Sequence, residues 1–471
     1  MKGKKAAKGR GRAARKLVKA GLPKSLEQVN LNAAGIDVGG ASHFVAVPAD
    51  RGPTPVRSFP SFTADLHRLA DWLQACGIDT VAMESTGIYW LPLYEILEER
   101  GIEVLLVNAH HVKTVPGRKT DVLDCQWLQQ LHTFGLLRGS FRPAQEARTL
   151  RAYMRQRDTL VRYAAQHVQH AEKALVLMNL QLRNVITDVV GATGMAILRD
   201  IVAGKTDPHE LAKHRDYRCH ASEEEIARSL TGNYRPEHVF ALKQALDLYD
   251  RYQQSIAECD EHVEHLLREL AALTAAPAGP APAPRTKKNP RRNEPAFDIR
   301  GPLYDLTGVD ITQIPAIGPY TALRVISEIG TDMSRWPSAK HFASWATLSP
   351  GSKISGGKVL DARTKPFKNR LAMILRIAAT SLRNTQTALG AFYRRIAFRR
   401  GAAKAVTAVA RKLAVYIYTS LRQRSPHSDP GADYYEIRYR ARALHGLQRK
   451  AADFGYLLVP APQNPEQPVA G

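Results

Sequence analysis

The chain has 471 residues, 44% of them hydrophobic, and carries 67 Lys and Arg against 44 Asp and Glu, a formal charge of +23. That length can bury a core in each of two or three domains, and that charge makes a polyanion, nucleic acid first, the expected partner. No apolar run approaches the length of a membrane span, the basic N-terminus leads into no hydrophobic stretch, and Cys76, Cys125, Cys219 and Cys259 lack paired spacing, so a span, a secretory signal, a zinc site and a disulfide framework are all disfavoured and a cytoplasmic, nucleoid-associated protein is expected.

Residues 1–30 are basic until Glu27 and are expected to form a disordered arm that meets phosphate; a solubilising tail is the plainer alternative. From residue 31 to 144, short apolar runs alternate with amphipathic stretches, the pattern of an α/β domain. AAGIDV and HFVAVP read as a hairpin turning through Gly39 and Gly40, whose freedom at positive φ suits a tight turn. FTADLHRLADWLQACG predicts a helix with Phe62, Leu66, Leu69, Ala70 and Leu73 on one face, ending at Gly77. TVAMES is a buried strand, IYWLPLYEILEERG a helix, IEVLLVNA a strand, and KTDVLDCQWLQQLHTFG a helix capped near Thr120.

This order distributes four carboxylates as a two-metal nuclease requires. Asp37 lies inside the first strand, Glu84 at the carboxyl end of another, and Asp121 and Asp124 three apart at a helix start, where they share a face. Oxygen-only ligands suit Mg²⁺ or Mn²⁺, and two such ions about 4 Å apart organise in-line attack on a phosphodiester. Each acid also has a plainer reading: Asp121 and Asp124 complement a helix dipole, and Glu84 caps the next helix. Asp37 resists that reading best, because an acid between Ile36 and Val38 in a buried strand needs a cation or partner. Lys113, Arg118 and Lys119, just before the paired acids, are candidate nucleic-acid contacts.

Residues 145–274 turn to long helices with apolar residues at three and four, including Leu242, Leu246, Leu248, Val263, Leu266, Leu267 and Leu270. A coiled coil that dimerises the chain and a bundle core are equally compatible with these imperfect heptads. Residues 275–297 form a proline-rich basic linker. In the mainly helical segment 298–424, ITQIPAIGPYTALRVISEIG predicts two helices about a tight turn at Gly318, resembling a helix-hairpin-helix that holds backbone phosphate; a plain helical hairpin is the alternative. Ser355 then precedes Gly356 and Gly357 amid Lys353, Lys358, Arg363, Lys365 and Lys368. A serine on such a loop can attack a phosphodiester while cations stabilise the charge, although most such strings are turns. Residues 425–471 read as a helix and a disordered end without evident chemistry.

Taken in order, GIDVGGASHFVAV, AMESTGIYW, VNAHHVKTVPGRKTDVLDCQWL, the helical middle, ITQIPAIGPYTALRVISEIGTD and LSPGSKISGGK closely resemble the IS110 family of insertion-sequence transposases, over about residues 33–420. The resemblance implies an N-terminal RuvC-like domain of the ribonuclease H type whose acidic tetrad is Asp37, Glu84, Asp121 and Asp124. It also implies a C-terminal transposase domain with Ser355 as nucleophile, Ser352 being the other serine within reach. Further implications are donor and target double-stranded DNA as substrates, a noncoding guide (bridge) RNA that pairs with both, and a homo-oligomer, dimers assembling to a tetramer, that composes the active site across protomers. The chain departs from the family pattern at Thr347 in ATLSP and at Lys365-Pro-Phe-Lys-Asn. The expected reaction is attack by Ser355 on a metal-polarised phosphate, giving a phosphoserine link, with Lys353, Lys358 and Arg363 stabilising charge. A metal-dependent junction-resolving endonuclease without a covalent intermediate, or a non-enzymatic nucleic-acid-binding protein, would share parts of this pattern.

Overall fold

The computed structural model describes residues 27–85, 87–108, 121–275, 277, 279–284, 292–351, 353–364 and 369–460. The expected basic arm therefore lies almost wholly outside the described residues, as do Lys113, Arg118, Lys119, the helix cap at Thr120, Ser352 and the end of the chain. The chain divides into two compact units, Met1–Arg142 and Pro143–Gly471.

The first unit is a mixed α/β domain on a five-stranded sheet. Its elements run β1 (Ala33–Val38), β2 (Ser42–Ala46), β3 (Val56–Pro60), α1 (Thr63–Ala75), β4 (Thr80–Glu84), α2 (Trp90–Glu99), β5 (Glu103–Val107) and α3 (Asp121–Thr133). The sheet order is β3-β2-β1-β4-β5, with β1, β2 and β3 antiparallel and β1, β4 and β5 parallel. Helices α1 and α2 cover one face, where Leu66, Leu69, Ala70, Leu73, Leu93 and Leu97 close over Ile36, Val38, Val81 and Met83. The opposite face carries α3, whose His132 shares a buried 2.8 Å hydrogen bond with Thr80.

Several local expectations change. The hairpin turn forms, with the Gly39 amide donating to the Ser42 carbonyl at 3.1 Å. Neither Gly39 nor Gly40 adopts positive φ, however. Glycine is required at 39 for proximity instead, since a Cβ there would lie 2.5 Å from the Ser42 oxygen. Phe62 leaves the buried face of α1, because it precedes the helix as its N-terminal flank and is 75% exposed. Helix α2 begins at Trp90, leaving Ile88 and Tyr89 exposed in a turn. Strand β3 has no counterpart in the sequence reading; it is an edge strand between prolines with only Val56 and Phe59 half-buried, so its alternation is faint.

Burial holds the imidazoles of His43 and His132 below their usual value, so both stay neutral in the fold, His132 despite the opposing field of Asp79. The unfolded chain binds more protons than the folded one between those lowered values and the ordinary 6.5. Stability is thus intact above that ordinary value and is lost as pH falls below it. Thermal melts stepped downward in pH from neutrality are expected to show a falling midpoint, with a shallower slope in His43→Gln; a flat profile, or an identical slope in that variant, contradicts the assignment.

Among the described residues, the second unit is helical apart from one two-stranded hairpin. Helices α4 (Gln145–Leu177) and α8 (Pro236–Ala272) pair antiparallel, as Tyr153 stacked on His262 at 5.3 Å and His167 on Tyr252 at 5.4 Å show. Between them α5 (Ala192–Val202), α6 (Pro208–Ala212) and α7 (Glu223–Ser229) form a tip with its own core around Met178, Leu198, Leu211 and Ile226. The stripe residues Leu242, Leu246, Val263 and Leu267 are buried within the chain, so they build an intrachain bundle, while Leu248 is 45% exposed. Arg157, 1% exposed, fastens this helix pair to the C-terminal part of the unit: it meets Asp260 at 2.5 Å, the Asn293 carbonyl at 3.0 Å and the Tyr320 hydroxyl at 3.0 Å.

After the linker come α9 (Arg300–Thr307), α10 (Pro319–Ile329), α11 (Ala339–Trp345), β6 (Lys353–Ser355), β7 (Lys358–Asp361), α12 (Arg370–Thr380), α13 (Ala388–Arg400), α14 (Ala402–Gln423) and α15 (Gly431–Asp453). The described part of the linker is held against this region, Ala283 accepting from Gln313 at 3.0 Å and Gly279 from Tyr304 at 2.9 Å. The first helix expected in ITQIPAIG is only a 3-10 turn, Ile311–Gln313, set by Asp310, whose carboxylate accepts from the Thr312 amide at 3.0 Å. Gly318 caps α10 at φ −83°, and the left-handed residue in the turn is Ala316 at φ 68°.

Candidate metal site and serine hairpin

In the first unit, strand register assembles the acids. Ile36 pairs with Met83 across the parallel β1 and β4, which puts Asp37 beside Glu84 one rung further along. Both side chains share the α3 face: Gly35, two residues before Asp37, abuts α3, and Thr80, four before Glu84, bonds His132 of that helix. A Cβ on Gly35 would lie 2.2 Å from the Gln129 nitrogen and 2.3 Å from the Cys125 oxygen, so the helix rests directly on the strand backbone. With His132 at the start of β4 and Cys125 over Gly35, the first turn of α3, bearing Asp121 and Asp124, is directed toward the carboxyl ends of β1 and β4.

Cys125 lies within the fields of two of these acids. Its buried thiol is pushed up to about 12, first by burial and then by the fields of Asp37 and Asp124, against hydrogen bonding from the backbone. Its Sγ donates to the Val122 carbonyl at 3.2 Å. The four acids offer carboxylate oxygens on this edge, Glu84 being 8% exposed, Asp37 and Asp124 half-buried and Asp121 open to solvent. That is the donor chemistry of a hard divalent cation. Among the described residues no three His, Cys, Asp or Glu side chains already form a group able to hold a metal ion, so the acids share a face and an edge without a closed cage. Gly35 is the positioning residue that the sequence reading passed over; a glycine within an apolar strand is the signal for such close approach.

In the second unit, Ser355 ends β6 and pairs with Lys358 across a two-residue turn. Gly356 and Gly357 take φ values of 54° and 76°, the pair of left-handed residues that this tightest hairpin demands. The SGGK string is therefore a built turn. A Cβ on either glycine would meet nothing within 4 Å, and Ser355 and Lys358 are exposed, so a bulky ligand has free approach. Ile354, Val359 and Leu360 are also exposed, at 64, 61 and 69%. The hairpin is closed at its root by a Pro350–Thr364 bridge and by the Gly351 amide donating to the Arg363 carbonyl at 2.8 Å. Arg363 pairs with Asp361 at 3.1 Å but is 88% exposed, a pair that solvent screens and phosphate can replace.

Two family models match this chain. One, described as a transposase and belonging to the DEDD type of IS110, matches residues 34–179; the other, described as a transposase of the IS116/IS110/IS902 family, matches residues 310–394. The chain belongs to the IS110 family of insertion-sequence transposases. This IS110 transposase carries Asp37, Glu84, Asp121 and Asp124 within the first match and Gly318, Ser355, Gly356, Gly357, Lys358 and Arg363 within the second. As a transposase it is an enzyme that acts on DNA, and the DEDD type of its first domain implies dependence on a divalent metal. No curated protein matches the chain. Among the described residues no helix is long and apolar enough to cross a membrane.

Proposed function

We propose that this IS110 transposase cuts and rejoins donor and target DNA through a covalent phosphoserine link made by Ser355, at a site completed by Mg²⁺ or Mn²⁺ on Asp37, Glu84, Asp121 and Asp124. The observation that carries this reading is the placement of Asp37 and Glu84 side by side on the adjacent strands β1 and β4, beneath the helix whose first turn holds the other two acids. The strand order β3-β2-β1-β4-β5, antiparallel then parallel, supports a ribonuclease H-like, RuvC-like class for the domain. When bound, the metal supplies polarisation of the scissile phosphate.

The chain's own groups supply the rest. Ser355 Oγ forms a bond to phosphorus, the ester oxygen of the cleaved strand leaves, and the proton lost by the serine ends on that leaving oxygen. The energy of the broken ester is kept in the phosphoserine, so a second DNA hydroxyl can reverse the step and rejoin strands without another energy source. Lys353 and Lys358 flank the serine in sequence and are proposed to offset charge on the phosphorus oxygens, with Arg363 exchanging Asp361 for phosphate. Guidance by a noncoding bridge RNA, a composite site across protomers of a dimer or tetramer, and a cytoplasmic, nucleoid-associated location complete the proposal.

Incubating the full chain with labelled donor DNA and its RNA, then separating products on denaturing gels, tests the serine. A slow protein-DNA adduct is expected for the native chain and none for Ser355→Ala, with DNA binding retained. An adduct of native yield in Ser355→Ala overturns the nucleophile assignment; metal-dependent cleavage without any adduct in the native chain supports a hydrolytic nuclease instead.

A further inference from the structure

Two turns border the acidic edge of the first unit. One leaves β1 through Gly39 and Gly40; the other leads from Glu84, the last residue of β4, to Trp90, the first of α2. A single ring joins them. A Cβ on Gly40 would lie 3.5 Å from Cζ of Tyr89, and one on Gly87 would lie 3.4 Å from Cδ2 of the same ring, so the ring sits against both glycines. The second turn is also fixed by its own hydrogen bonds. The Ser85 amide donates to the Val107 carbonyl at 2.9 Å, the Leu91 amide to the Ile88 carbonyl at 3.1 Å, and Trp90 Nε1 to the Gly87 carbonyl at 3.2 Å. Gly87 itself takes φ 58°, where a side chain would be strained.

Tyr89 is nevertheless 54% exposed. Holding a tyrosine in one place costs rotamer entropy, and a ring left half in water recovers little of that cost through burial. Its surroundings are alike. Ile88 beside it is 78% exposed, and the exposed Phe62 follows Ser61, whose hydroxyl donates to the Gly40 carbonyl at 3.1 Å. Isolated apolar side chains on a surface need no explanation, whereas three gathered at one turn mark a contact surface. Gly40 is three residues from Asp37, at most about 10 Å of chain. A strand whose phosphate meets the acids would therefore carry a base to the ring a few nucleotides away.

We propose that Tyr89 stacks an unpaired base of the DNA strand whose phosphodiester lies at the acidic edge, with Ile88 and Phe62 as its apolar flanks. The inference rests on the reading of that edge as the site of cleavage. A base inside a duplex has both faces covered by its neighbours, so the ring selects a strand that has been opened. Every base has a π-face, so the contact positions the strand without reading its sequence.

Photocrosslinking tests the contact. The full chain, without added metal, is irradiated with a single-stranded DNA of arbitrary sequence whose thymines are replaced one at a time by 5-iododeoxyuridine, and mass spectrometry locates the adduct. An adduct at position 89 is expected in the native chain and in Tyr89→Phe, and little with a duplex of the same sequence. Tyr89→Leu keeps bulk between the two glycines but loses the ring; it is expected to melt as the native chain does, to give no adduct there and to bind the strand about 5- to 100-fold more weakly. Tyr217→Ala removes an exposed ring from the tip between α4 and α8 and is expected to bind as the native chain does. Should Tyr89→Leu fail to fold, the adducts of the native chain and of Tyr89→Phe carry the test. Absence of an adduct at position 89, an equal adduct with the duplex, native binding by a folded Tyr89→Leu, or an equal loss in Tyr217→Ala overturns the proposal. Failure of the acidic-edge reading is seen separately, as native exchange in Asp37→Asn, and leaves the metal-free adduct in place.

Discussion

Asp37→Asn is expected to abolish strand exchange by this transposase while leaving the fold in place. The substitution keeps the side chain's shape and removes one charged oxygen from the edge shared with Glu84 and the first turn of α3. A metal contributes several kcal/mol to charge stabilisation at phosphorus, so losing a ligand should lower the rate by about 10³-fold or more. A plasmid recombination assay reads the loss, and circular dichroism checks the fold. A second readout needs no turnover. Asp37 is one of the carboxylates that raise the Cys125 thiol, so the variant's thiol should titrate lower than the native one in reaction with a thiol reagent. Native exchange frequency in Asp37→Asn contradicts a catalytic role; an unmoved thiol contradicts the placement of the carboxylate.

The second large effect is expected from a residue with no chemistry of its own. Gly35→Ala adds one methyl where 2.2 Å separates the new carbon from the Gln129 nitrogen, and that neighbour is helix backbone, unable to swing aside. Helix α3 must lift or shift, carrying Asp121 and Asp124 away from Asp37 and Glu84. Overpacking of this kind costs about 1–3 kcal/mol or more, and here the displacement also dismantles the acidic edge, so activity should fall as far as in Asp37→Asn. Gly446→Ala is the control: nothing lies within 4 Å of a Cβ at that position of α15, and alanine favours helix by up to about 1 kcal/mol. Thermal melts and recombination measured on both variants decide the matter. A Gly35→Ala chain with native stability and activity contradicts a helix seated on the strand.

What could be read from the chain and what could not divides by the kind of interaction. Strands β1, β4 and β5 announced themselves because they are buried runs flanked by turns, and α1 because Leu66, Leu69 and Leu73 repeat at helical spacing. Glu84 could be placed at a strand end from sequence alone. Its adjacency to Asp37 could not, since that depends on β1 and β4 pairing in parallel with one particular register. Edge strand β3 escaped because half-exposed positions need no apolar side chain. Gly356 and Gly357 spelled a turn, yet the strand pairing that holds Ser355 opposite Lys358 is a property of the folded hairpin. Heptad-like leucines in α8 fitted partners of either origin, and burial within the same chain is settled only once α4 and the tip are in place. Lys113, Arg118 and Lys119, outside the described residues, keep their proposed contact with nucleic acid on electrostatic grounds alone.

Anomalous scattering from crystals of the full chain grown with Mn²⁺ measures the central claim most directly. One or two ions are predicted between the carboxyl ends of β1 and β4 and the first turn of α3, with carboxylate oxygens of Asp37, Glu84 and at least one of Asp121 and Asp124 at about 2.1 Å. Manganese bound elsewhere on the chain with that edge empty, or an ion there that leaves Asp37 out, contradicts it.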